Sequence, residues 1–168
     1  RFTLGEPHNV TVSGDGQRVL FLRSTNGSDP VNSLWVLDSE TGEERPIADP
    51  RTLLSSSNND EVPPEERARR ERLREGAGGI TAYATDAKSS VVAFALAGKL
   101  FVAGVISGHA RLLDVDGPVF DPSPDPTARR VAYVSGSSLC IGELDGTSRV
   151  LAGEQSAGSD VPQNVTWG

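Results

Sequence analysis

Three times along this chain an aromatic residue closes a short apolar run, and a leucine then opens the next: Phe21 before Leu34, Phe94 before Leu100, Tyr133 before Leu139. A returning landmark constrains a fold more than composition does, because each copy must be one unit that buries its face against a neighbour. The first copy has short strand-like runs at 10–13, 18–22, 33–38 and 44–47, with Asp15-Gly16 and Thr41-Gly42 between them. Such Gly-containing pairs supply the positive φ of tight hairpins. Val19 and Phe21 alternate with Leu20 and Leu22, so both faces of that run are apolar and the strand is buried on both sides. The second copy has runs at 80–83, 91–95, 99–102 and 110–113; the third has them at 119–120, 130–134, 138–141 and 148–151.

Units starting at Val10, Ile80, Val119 and Val165 are spaced by 70, 39 and 46 residues. A unit of roughly 40 residues with four strands is the signature of a propeller blade. The fold predicted is therefore all-β: a partial β-propeller of about three four-stranded blades, belonging to a larger ring, with one inserted charged helix. A β-sandwich with accidental internal similarity is the competing architecture. The blades are placed at 8–49, 80–116 and 117–155, an insertion at 50–79, and the start of a further blade at 156–168. Propellers have about 4 to 8 blades, so three cannot close a ring. The chain has no Met, opens on Arg1 and stops at Trp167-Gly168. It is expected to be a piece of a longer protein.

The long first interval contains the most unusual stretch. Residues 65–75, EERARRERLRE, hold five arginines and four glutamates. Pro63-Pro64 suits a helix start. Glu65 and Glu66 favour the positive end of the helix dipole. Glu65–Arg69 and Glu66–Arg70 are spaced as i,i+4 pairs, and Gly76 is a natural stop. This predicts a helix over about 64–75. Leu73 is its only large apolar residue, so it has almost no face to bury. It is either a solvated helix or one presenting arginines to a substrate or another domain. Residues 53–59, before it, read as a Ser/Asn-rich linker.

The net charge is −7 over 168 residues. An acidic surface repels a phosphate backbone, so nucleic acid is not an expected partner. No apolar run approaches the length that spans a bilayer, so a membrane is not expected either. Cys140 is the one cysteine. It cannot form an internal disulfide, which fits a reducing, cytoplasmic setting. The three N-x-[ST] matches, at Asn9, Asn26 and Asn164, then read as chance.

Tests for chemistry come back empty. The nucleophile elbow G-x-S-x-G is missing; Gly136-Ser137-Ser138-Leu139 reads as a hairpin turn. His8 and His109 sit in turn-like contexts. Gly76-Ala77-Gly78-Gly79 is not a dinucleotide fingerprint. Asp114-Val115-Asp116-Gly117 lacks the later Glu of a calcium loop. Asp121-Pro122-Ser123-Pro124-Asp125 reads as a rigid acidic turn covering a blade edge. No catalytic residue, metal site or cofactor is predicted within these residues.

Four elements together resemble a known family. They are Leu34-Trp35-Val36-Leu37-Asp38 with Thr41-Gly42; the run Glu65-Glu66-Arg67-Ala68-Arg69-Arg70-Glu71-Arg72 followed by Gly79-Ile80; Asp125 with Val131-Ala132-Tyr133-Val134; and Val165-Thr166-Trp167-Gly168. The arrangement resembles the N-terminal propeller of the dipeptidyl peptidase IV group of prolyl-oligopeptidase-type serine peptidases, in a bacterial version. The resemblance covers almost the whole chain, and the charged run with Gly-Ile is its most specific part. It implies an eight-bladed propeller capping an α/β-hydrolase domain with a Ser, Asp and His triad. It implies peptide substrates that lose two residues from their N-termini, and a propeller that screens out folded proteins. The family's Glu-Glu pair for the substrate amine would fall beyond Gly168, as would the hydrolase domain. A family arginine that holds a substrate carbonyl has Arg72 and Arg74 as its nearest matches here, and no motif fixes which.

The expected partners are thus the hydrolase domain of a parent chain, a peptide, and other copies meeting at open blade faces. Two other readings compete. One is a non-catalytic propeller that binds protein partners. The other is a periplasmic TolB-like propeller, which would carry a signal peptide.

Overall fold

The computed structural model describes residues 5–56 and 79–153. It is built almost entirely of strands: β1 (His8–Val12), β2 (Arg18–Ser24), β3 (Asn32–Asp38), β4 (Glu44–Ala48), a short helix α1 (Pro50–Ser56), β5 (Ala84–Thr85), β6 (Val91–Leu96), β7 (Lys99–Gly104), β8 (Ala110–Leu113), β9 (Phe120–Pro124), β10 (Arg130–Ser135), β11 (Ser138–Glu143) and β12 (Ser148–Ala152). They form three four-stranded antiparallel sheets, each a meander in sequence order. This is the partial β-propeller expected from the repeats.

The sheets stack in chain order, and two apolar layers hold them. Leu20, Leu22, Leu34 and Val36 of the first sheet meet Val92, Phe94, Phe101 and Ala103 of the second. The opposite face of the second sheet, with Ala93, Leu100, Val102 and Leu113, meets Val131, Tyr133 and Cys140 of the third. Period-two alternation explains why one strand serves both layers: Ala93 and Phe94 are adjacent, fully buried, and face opposite neighbours. Phe94 and Phe101 pair across β6 and β7 with ring centroids 5.7 Å apart. Burying one such ring is worth about 1.5–3 kcal/mol.

Each sheet uses the same turn between its first two strands. Ser13, Asp86 and Asp125 occupy one position, shown by the amide bonds Ser13 to Arg18, Asp86 to Val91 and Asp125 to Arg130. In the second sheet Asp86 accepts from the Ser90 and Val91 amides at 2.7 and 2.8 Å. Its burial pushes the carboxyl pKa up, but these amides and the Ser90 hydroxyl outweigh that and hold it below the ordinary value.

Arginines on the fourth strands tie sheet to sheet. Arg45, opposite Val36, donates to the carbonyls of Val105 (2.6 Å) and Ile106 (2.9 Å), just past β7. Arg111, opposite Val102, donates to the carbonyl of Leu144 (2.6 Å), just past β11.

Three local expectations are corrected. Residues 80–83 are not the first strand of the second sheet; that strand is only Ala84–Thr85. The preceding segment is taken up by the first sheet instead: the Ile80 amide donates to Asn32, and the Tyr83 hydroxyl lies within reach of Thr11 Oγ1 (3.1 Å) and the Leu20 carbonyl (2.9 Å). Residues 121–124 are not a turn but part of β9. Prolines are tolerated there because β9 is an edge strand that needs donors on one side only. Asp121, at φ 49°, falls at the register shift opposite β10. Residues 53–56, read as linker, belong to α1. Asp49 accepts the Arg51 amide at 2.9 Å as an N-cap, Pro50 takes the first helical position, and Leu54 is buried in the first apolar layer. The helix expected over 64–75 lies outside the described residues.

Candidate functional site

The segment singled out by sequence for function is the charged run, and Arg72 and Arg74 both lie outside the described residues. What the structure does define is the frame from which that run departs and to which it returns. On the departing side, α1 is fixed to the β2–β3 loop by Arg51, whose guanidinium makes a two-pronged ion pair with Asp29 at 2.9 and 3.1 Å. Paired donors in a planar fork match a carboxylate well. The Arg51 hydrogen bonds, and next the Val31 amide at 3.0 Å, hold the Asp29 carboxyl below its ordinary pKa.

On the returning side stands Gly79. It forms a parallel bridge with Asn32, the first residue of β3. Its φ is +78°, and a β-carbon added there would lie 2.4 Å from the Asn32 nitrogen and 2.6 Å from its oxygen. Only glycine allows both the backbone angle and the approach. Ile80 follows and is fully buried. Both roots of the insertion are therefore tied to one region, the loop before β3 and its first residue.

The other candidate groups do not assemble into chemistry. The His8 ring lies 3.3 Å from the backbone oxygen of Glu6, and His109 is exposed beyond β7. Among the described residues, neither ring bonds to a hydroxyl or a carboxylate, and no three His, Cys, Asp or Glu side chains gather as a metal site. No helix there is long and apolar enough to cross a membrane. A shallow groove of about 300 Å³ runs between β4 and the Gly108-His109 turn, lined by Pro46, Ile47, Asp49 and Ala110 among others. Its polar lining is Asp49, which caps α1, with Thr52 and His109.

Sequence reasoning missed the cross-sheet arginines. Their signal was present: an arginine stands second in each fourth run, in Glu44-Arg45, Ala110-Arg111 and Ser148-Arg149. The Asp29–Arg51 pair, 22 residues apart, left no local signal.

The geometry defines a section of a β-propeller, and comparisons with solved structures agree on that fold. The chain is similar to the tricorn protease (TM-score 0.53, 12% identity), covering 86% of this chain and 13% of that one. It is similar to a putative TolB from Agrobacterium tumefaciens (TM-score 0.54, 12% identity), covering 90% of this chain and 49% of that one. It is also similar to a chain of a nidogen/laminin complex (TM-score 0.50, 11% identity), covering 86% and 46%. The chain thus spans less than half the length of each of these proteins. No protein-family model matches the sequence.

Proposed function

We propose that these residues are the non-catalytic propeller section of a serine exopeptidase that removes dipeptides from peptide N-termini, of the dipeptidyl peptidase IV type and bacterial. In this reading the longer protein carries an eight-bladed propeller and an α/β-hydrolase domain and acts in the cytoplasm. The section narrows access to the hydrolase and supports it, and Arg72 or Arg74 holds a substrate carbonyl. The observation that carries the reading is the rooting of the charged run. The run is followed by a Gly-Ile pair whose glycine cannot be replaced without moving Asn32, so the insertion rejoins the first blade at a fixed place. A planar guanidinium on such a segment can grip a carbonyl or a carboxylate.

The test uses the protein made from its complete reading frame and a dipeptidyl chromogenic substrate. Turnover is expected, with Arg72→Ala or Arg74→Ala raising KM while kcat and the melting midpoint stay put. The 168-residue chain alone should show none. A complete protein without turnover sinks the peptidase reading.

A second reading, a scaffold that docks protein partners, is favoured by one observation. Among the described residues the outward face of the third sheet is apolar, with Phe120, Leu139 and Leu151 exposed. Copies of the isolated chain should meet through this face when concentrated and separate on dilution, and the net charge of −7 should keep the product soluble.

A further inference from the structure

Asn26-Gly27 is the one Asn-Gly pair in the chain. It lies exposed in the loop between β2 and β3, the loop that Arg51 ties to α1. The Asn26 side-chain oxygen accepts two hydrogen bonds from one residue: the Ser28 amide at 3.0 Å and the Ser28 hydroxyl at 2.8 Å. The Asn26 backbone carbonyl accepts two more, from the Ser24 hydroxyl at 3.1 Å and the Asp29 amide at 3.2 Å. Ser24 is buried at the end of β2 and is itself held by the Gly5 amide at 2.9 Å. The side-chain carbonyl of Asn26 and the peptide group that carries the Gly27 nitrogen are therefore both clamped.

An asparagine side chain is open to attack by the amide nitrogen that follows it in the chain. Glycine has no β-carbon to obstruct that nitrogen or to restrict the backbone angles of the approach. Two donors on the attacked oxygen lie where negative charge develops in the tetrahedral intermediate. Fixing the reacting groups beforehand lowers the entropic part of the barrier. A second turn has the same geometry: Asp145 Oδ1 accepts the Thr147 amide at 3.0 Å and the Thr147 hydroxyl at 2.8 Å, with Gly146 between them. There the Thr147 amide, and next its hydroxyl, hold the carboxyl below its ordinary pKa, so it stands ionised and is a poor electrophile. At Asn26 the matching donors act on a neutral amide.

We propose that Asn26 is a self-modification site: its turn converts it through a succinimide to aspartate and isoaspartate, and the isoaspartate form frees α1 from the β2–β3 loop. The Gly27 nitrogen gives its proton to hydroxide and forms a bond to Asn26 Cγ. The electron pair pushed onto Oδ1 is held by the Ser28 amide and hydroxyl. It returns as the Cγ–Nδ2 bond breaks; Nδ2 takes a proton from water, regenerating the hydroxide, and leaves as ammonia. Water then opens the ring. Cleavage between the Gly27 nitrogen and Cγ gives aspartate, and cleavage between that nitrogen and the backbone carbonyl carbon of residue 26 gives isoaspartate. Nothing is oxidised or reduced: amide plus water becomes carboxylate plus ammonium. Isoaspartate runs the main chain through the side-chain carbons and lengthens it, so the turn closed by the Asp29 amide on the residue 26 carbonyl is lost. The new carboxylate also stands beside Asp29 in the same loop and competes for Arg51. The inference rests on the chemistry of this turn and is independent of the peptidase reading.

The test incubates the 168-residue chain at mildly alkaline pH, folded and in urea. Conversion of Asn26 is followed by peptide mass spectrometry, with electron-transfer fragmentation to separate isoaspartate from aspartate. Conversion should be at least as fast in the folded chain as in urea. Ser28→Ala should slow the folded chain several-fold and leave the rate in urea nearly unchanged, and Ser28→Thr, which keeps a hydroxyl, should restore most of the folded rate. The isoaspartate form, purified by its added negative charge, should exchange backbone hydrogen faster over 50–56 than the unconverted chain. Faster conversion in urea than in the folded chain, or a folded rate indifferent to Ser28→Ala, overturns the site. Unchanged exchange over 50–56 in the isoaspartate form overturns the release of α1.

Discussion

The two ends of the sheet stack are built from the same positions and finished differently. At the outward face of the first sheet, Arg23 lays its guanidinium over Trp35 and Phe21, at 4.4 and 5.2 Å from the ring centroids. It also pairs with Glu44 at 2.7 Å. The matching residue of the second sheet, by its place on the second strand, is Leu96, which is buried in the first apolar layer. One substitution within the repeat thus turns a face meant for a neighbour into a face topped by charge. Phe21 lies beneath it and is buried. Among the described residues the outward face of the third sheet has no such cover: Leu139 and Leu151 are exposed where their counterparts are sealed. A cation over aromatic rings is one way to close an apolar face.

The sharpest way to break this comparison is to truncate the same leucine at both places. Leu34→Ala removes a side chain sealed between two sheets, and such deletions cost about 2–5 kcal/mol. Leu139→Ala removes one that is half in water, and the cost should stay below about 1 kcal/mol. Urea unfolding of the two variants checks it. Equal losses would mean that Leu139 is already covered. The arginines give a second pair with a smaller effect. Arg45→Ala strips two backbone carbonyls of a charged donor, for about 1.5–3 kcal/mol. Arg149→Ala should be nearly neutral in this chain. A large effect at Arg149 would show that it has found acceptors.

How much of this could be read from sequence follows from the range of the interactions. The propeller strands were legible because period-two alternation and turn residues are local, and because three copies of Phe or Tyr before Leu check one another. Residues 80–83 misled because their partners, Asn32 and Leu20, are far away along the chain; an apolar run cannot say which sheet will claim it. The helix α1 was legible and overlooked, since Asp49-Pro50 is a capping signal. β9 was misread because two prolines look like a turn unless the strand is known to be an edge. For the candidate site, the sequence pointed to the charged run and to Gly79-Ile80. The structure explains the glycine by its contact with Asn32, a close approach that no local pattern encodes.

Arg23→Leu sharpens the comparison from the other side, by making the first sheet's outward face resemble an interior one. Two ring contacts are lost, each worth about 0.5–1 kcal/mol at an exposed site. The ion pair with the half-exposed Glu44 adds little. The added leucine recovers part of this through contact with Phe21 and Trp35, so stability should drop by about 1 kcal/mol or less. The larger change should be in association: binding of an apolar dye and the weight-average mass in sedimentation should both rise. An unchanged mass would mean that Arg23 is not what keeps that face closed.

The smallest expected effect compares the same turn at the two ends. In the first sheet the turn position is Ser13, whose hydroxyl accepts the Arg18 amide at 2.9 Å. In the third sheet it is Asp125, which accepts the Thr127 hydroxyl at 2.6 Å and the amides of Arg129 and Arg130 at 2.7 and 3.0 Å. The Thr127 hydroxyl first, and then the Arg130 amide, pull the Asp125 carboxyl from its ordinary value of 3.8 down to about 2. A carboxyl whose pKa is lowered by folding adds stability that is fully present above the unfolded value. That stability is lost as pH falls through the folded value. The window is therefore from just above 3.8 down to about 2, and the loss falls on the third sheet's turn. Amide chemical shifts of Arg129 and Arg130, followed by NMR, should titrate with a midpoint near 2. In Asp125→Ser, which gives this turn the residue found at Ser13, that titration should vanish from both amides. A midpoint near 3.8 in the unaltered chain would mean that the carboxylate is not held by these donors.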